Sequence, residues 1–172
     1  MHRVTSSVII FAFIFLGAGA VLAQESSSAT GTATCNFDEE KQLVVQYQRV
    51  VINLKKVAAQ VPFGKVWAPG GKPMTLFTNA PIQVGSHNLG VGAYTLFVIP
   101  TSRQWQLVVS RNTDMSGAYD EKNDVVRVPM DSGELPNAES DLGVAFEHVA
   151  PGQCNLRLDL DKDGHFAPFK LQ

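Results

Sequence analysis

Apolar residues recur at every second position along most of this chain, and that spacing restricts its fold more than any other feature. Leu43, Val45 and Tyr47 alternate with Val44, Gln46 and Gln48. Trp105, Leu107 and Val109 alternate with Gln104, Gln106 and Val108. Val126, Val128 and Met130 alternate with Val125, Arg127 and Pro129, and Leu156, Leu158 and Leu160 with Asn155, Arg157 and Asp159. Successive side chains of a strand point to opposite faces, so each run predicts a strand with one buried face. The stretch YTLFVIP, residues 94–100, is apolar on both faces and predicts a central strand. Turn residues separate the runs: Asn79-Ala80-Pro81, Gly85-Ser86-His87-Asn88, Gly90-Val91-Gly92 and Pro151-Gly152. Helical spacing is confined to Leu54, Val57 and Ala58, enough for a turn or two. The expected fold is all-β: a single-domain antiparallel β-sandwich or open barrel with little helix.

The first residues place this domain in a compartment. Arg3 precedes an uninterrupted apolar run over residues 8–16, and Val21-Leu22-Ala23 precedes Gln24. This is the pattern of a secretory signal peptide over residues 1–23. The run is short for a membrane span, and Gly17 and Gly19 interrupt it before any stop-transfer charge. Residues 24–34, QESSSATGTAT, are small and polar and read as a flexible leader, with a single β domain over 35–172. Cleavage leaves 149 residues carrying 13 basic and 16 acidic side chains, enough chain for one core. Lys55-Lys56 is the one basic pair, so no stripe matches a phosphate backbone or an anionic membrane. Nucleic acid is excluded as an expected partner, and no span is expected after cleavage. Cys35 and Cys154 read as a disulfide of an exported protein, the alternative being two buried thiols.

No nucleophile, phosphate-binding or dinucleotide motif is present, and no histidines stand at metal-ligand spacing. No cofactor and no metal site is therefore expected. The segment DLDKDG, Asp159 to Gly164, begins like a calcium loop, but its twelfth position is Lys170 and a strand precedes it. It reads as a hairpin turn at Lys162-Asp163-Gly164, with HFAPFKL returning as the partner strand, and a weak surface calcium site is the alternative. The loop Phe63-Gly64-Lys65-Val66-Trp67 is the leading candidate for function, since rings in loops on a rigid sheet can stack on sugars or anchor a partner. The bland alternative is that Phe63 and Trp67 fold back as core plugs. Tyr119 and Asp120, in the polar turn Tyr119-Asp120-Glu121-Lys122 between two strands, form a second candidate, against the favoured alternative of a charge-rich hairpin cap. The expected role is a non-catalytic binding or scaffolding module, its partner a glycan or an envelope protein. The competing role is a hydrolase with Asp120, Glu121, His148 or His165 as acid and base, marked by a cleft where two of them converge.

Three blocks carry a resemblance: VPFGKVW at 61–67, VGAYTLFVIP at 91–100 and YDEKNDVVRV at 119–128. On these the chain resembles a bacterial, mostly exported family known only as a domain of unknown function, number twenty-nine eleven. The likeness runs from about Leu43 to Phe169. It implies a bacterial source, export to the periplasm or beyond the cell, and an all-β single domain. It implies no activity, because the family has no established catalytic residues to carry over. The family continues after Gly-Lys-Val-Trp with an arginine and then Gly-Ala-Asn-Glu, whereas this chain has Ala68-Pro69-Gly70-Gly71-Lys72-Pro73-Met74. Relatives also carry a hairpin of Trp-Glu-Asn-Thr type at 160–163, in agreement with the turn read there.

Overall fold

The computed structural model describes residues 30–114 and 119–172. The stretch read as a signal peptide and the first part of the leader lie outside them. Ten strands form two antiparallel sheets packed face to face: β1 (Thr30–Asn36), β2 (Gln42–Gln48), β3 (Met74–Thr78), β4 (Ile82–Val84), β5 (His87–Leu89), β6 (Gly92–Ile99), β7 (Gln106–Ser110), β8 (Asp124–Pro129), β9 (Asp131–Ala150) and β10 (Gln153–Leu171). One sheet has the order β1-β2-β3-β6-β7-β8 and the other β5-β4-β10-β9. The sheets do not close, so the molecule is a sandwich and not a barrel. Among the described residues helix is limited to three short 3-10 turns, Leu54–Lys56, Pro69–Gly71 and Glu121–Asn123, and one α-turn, Val57–Gln60, that continues the first.

The period-two runs bury the faces their spacing predicts. Leu43, Val45, Leu96, Val98, Leu107 and Val109 meet Ile82, Val84, Leu156, Leu158 and Phe169 of the other sheet in one core. β6 lies inside the larger sheet, and Leu96, Phe97 and Val98 are all buried. Its second face is covered by the crossover from β7 to β8, where Tyr119 packs edge-on against Phe97 at 5.1 Å between ring centroids. Two glycines are required by their turns. Gly85 (φ 59°) opens the two-residue loop joining β4 to β5, and a Cβ there would lie 2.5 Å from Val128. Gly152 (φ 68°) follows Pro151 in the turn from β9 to β10.

Three features differ from the sequence expectations. β1 begins at Thr30, inside the stretch read as leader, because Gly31, Ala33 and Cys35 alternate inward although they are too small to register as a hydrophobic run. Gly31 is small for a reason: a Cβ would collide with the Tyr47 ring on the paired strand. β9 is a 20-residue strand that its polar sequence conceals, since most of it is exposed.

The third difference is a correction. DLDKDG is not a hairpin turn. The chain continues straight through it in β10, and HFAPFKL pairs onward with Ser132 and Asp131 of β9 and then with β4. From Asp159↔Gly143 to Asp163↔Glu134, β10 advances four residues while β9 advances nine. The surplus of β9 leaves the ladder there and pairs with the segment before the helical turn: Ile52 N–H donates to Ser140 C=O, and Leu142 N–H to Val50 C=O. Asp161 sits at φ 55° in this bulge. The bulge inverts the strand's side-chain phase. Before it the even residues Cys154, Leu156, Leu158 and Leu160 face the core; after it the odd residues His165, Ala167 and Phe169 do. Polar, turn-forming residues suit such a bulge as well as they suit a hairpin, which is why the segment reads as a turn.

Candidate functional site

The bulge, the turn from β6 to β7 and the loop after the helical turn meet at one end of the sandwich around a cleft of about 380 Å³. That volume suits a small molecule. Phe63 stands at its lip, 48% exposed. Its loop is held to β6 by backbone bonds: Gly64 N–H donates to Pro100 C=O at 2.7 Å, and Trp67 and Val98 exchange bonds of 2.8 and 3.1 Å. The turn carrying Ser102 and Arg103 is closed by Thr101, whose hydroxyl donates to Gln104 C=O at 2.8 Å and accepts from Gln104 N–H at 3.0 Å.

The wall is a stack of rings. Trp105 lies parallel to His165, with centroids 4.0 Å apart and planes 12° from parallel. Trp67 meets Trp105 edge-on from behind at 6.2 Å. Trp105 is further fixed by its carbonyl, which accepts from Met130 N–H at 2.8 Å. His165 is 8% exposed, and its Nδ1 is buried without a hydrogen-bond partner. Burial holds the imidazole below its ordinary pKa, against the pull of the carboxylates of Asp163 and Asp159. It is therefore a neutral, aromatic wall at neutral pH. Asp161 and Asp163 project from the bulge into the lining of the same cleft, and Ser132 enters it from β9.

The residues singled out in the sequence fall in different places. Phe63 is exposed at the lip. Lys65 is exposed and does not line the cleft. Trp67 is partly buried against the core and supports Trp105, so for this ring the core-plug alternative describes its packing. Tyr119 and Asp120 lie in the crossover from β7 to β8. The Tyr119 hydroxyl donates to Asp124 Oδ2 at 2.5 Å and accepts from Arg127 Nη2 at 2.7 Å. Burial first, and the bond to Asp124 second, push its phenol up to about 12, while Arg127 opposes them. The Asp120 side chain accepts from Lys122 N–H at 3.0 Å and caps the 3-10 turn Glu121–Asn123. Both residues fasten the crossover and neither lines the cleft.

The four acid–base candidates are dispersed. Asp120 and Glu121 belong to that crossover, where Glu121 pairs with Arg127 at 3.0 Å. His148 bonds the Asn36 carbonyl at 2.5 Å, beside the disulfide joining Cys35 in β1 to Cys154 in β10. His165 alone of the four reaches the cleft. His148 and the two sulfurs lie within 4.8 Å of one another, but sulfurs bonded to each other are not thiolate ligands. Arg103, Trp105 and Ser132 escaped sequence reasoning as site residues. Only the tertiary fold brings them beside Phe63, and no spacing signal links them.

The model of a family described as a protein of unknown function (DUF2911) matches residues 28–166. The chain belongs to this family. The match takes in every residue lining the cleft, from Phe63 to His165, and leaves out the end of β10 that carries Phe169. No curated protein and no solved structure matches the chain. Where the resemblance implies an arginine and Asn-Glu after Trp67, this member has a 3-10 turn, Pro69–Gly71, with Pro69 buried.

Proposed function

We propose that this protein is an exported, non-catalytic binding module that holds a small envelope-derived ligand in the cleft under Phe63. The observation that carries the reading is the cleft itself. A half-exposed ring faces a stacked Trp105–His165 wall, with charged and hydroxyl groups around them. Rings supply area and a flat stacking face at little entropic cost, and a few polar groups orient the ligand. The dispersal of Asp120, Glu121, His148 and His165 favours binding over acid–base chemistry. Export is supported by the amino-terminal signal pattern and by the disulfide, which persists in an oxidising compartment. No helix among the described residues is long and apolar enough to cross a membrane.

A thermal-shift screen of the oxidised protein against envelope glycans, amino acids and short peptides tests this. A ligand that binds only the native state raises Tm by mass action. The expected result is a rise with at least one compound that disappears in Phe63→Ala. A rise that persists unchanged in Phe63→Ala would place the ligand elsewhere.

A further inference from the structure

Charge in the cleft narrows the ligand class. Arg103 lines it from one side and Asp161 and Asp163 from another. Among the described residues none of the three forms an ion pair or a side-chain hydrogen bond. Arg157 in the same strand as the two aspartates pairs with Asp159 at 2.9 Å. Unpaired charges of both signs therefore line one small cavity. The lining also holds the stacked pair Trp105–His165, which offers a flat face to the body of a ligand.

We infer that the cleft takes a small zwitterion, an amino acid or short peptide, with its ammonium group toward Asp161 and Asp163, its carboxylate toward Arg103 and its apolar body between Phe63 and Trp105. Each end then meets an opposite, unpaired charge in a charge-assisted hydrogen bond. A neutral sugar would leave all three charges uncompensated, and a purely cationic or anionic ligand would leave one side so. This rests on the binding reading above and specifies its ligand.

The test uses a dipeptide library measured against the full, oxidised protein by native mass spectrometry, beside the same library N-acetylated, the same library C-amidated, and neutral mono- and disaccharides. The unblocked dipeptides should bind, and either block should weaken binding by about tenfold or more, the loss of one charge-assisted contact. Arg103→Gln should bring unblocked dipeptides down to the affinity of the amides and leave the amides unchanged. Asp163→Asn should do the same for the acetylated series. Equal binding of blocked and unblocked dipeptides would overturn the inference. Phe63-dependent binding of neutral saccharides alone would overturn it too while leaving the binding reading standing. Silence from every probe would overturn both.

Discussion

His165 is buried in the wall of the cleft, and it makes the domain sensitive to acid. Its imidazole is held below the ordinary value of 6.5, chiefly by burial. Below that value the unfolded chain takes up a proton that the folded chain refuses. The unfolded state then binds more protons, so stability falls as pH falls. Melting curves at pH 7 and pH 5 should show a loss in the wild type that His165→Gln lessens. The two aromatic candidates should separate in the same assay. Trp67→Ala removes a ring packed between the core and Trp105 and should cost about 3 kcal/mol, a fall in Tm of roughly 6–12 °C. Phe63→Ala removes a half-exposed ring and should change stability by no more than about 0.5 kcal/mol while abolishing ligand binding. Tyr119 predicts a phenol that titrates near 12, visible in the ultraviolet on raising the pH and missing in Tyr119→Phe.

At the scale of the strand, the bulge in β10 explains both what the sequence reveals and what it hides. Leu156, Leu158 and Leu160 announce the first half of β10 because one register of buried side chains suffices there, and residues 94–100 announce β6 because both its faces are apolar and buried. The phase change after Asp161 breaks that register and resembles a chain reversal when only spacing is visible. β9 was illegible because its exposed, polar residues earn their place by pairing and not by burial. Phe63 was legible as a loop aromatic. Arg103, Asp161 and Asp163 were not legible as neighbours, since a bulge and a distant turn bring them together. The left-handed conformation of Asp161 is accessible to Gly and Asn but disfavoured for a β-branched residue. Asp161→Val should therefore lower stability by about 1–2 kcal/mol, whereas Asp161→Gly should leave it unchanged or slightly raised, as chemical denaturation would show.

At the scale of the molecule, two pins hold the sandwich together beside its core. The disulfide joins the edge strand of one sheet to a central strand of the other across 119 residues of chain. The displaced part of β9 closes the corner against residues 50–52. A loop of that length is worth about 4–5 kcal/mol in the chain-entropy account. Cys35→Ser with Cys154→Ser should then lower Tm by roughly 10–20 °C. Both pins leave the cleft end to its two loops and the bulge. Of the two tryptophans, Trp105 belongs to the wall that closes it and Trp67 packs behind Trp105. The most direct test of the account is fluorine NMR of 5-fluorotryptophan-labelled protein, with the Trp105 resonance assigned through Trp67→Phe, titrated with amino acids, dipeptides and monosaccharides. The account predicts a saturable shift of Trp105 with at least one compound, absent in Phe63→Ala. A Trp105 resonance that no compound moves, or that moves equally without Phe63, would contradict it.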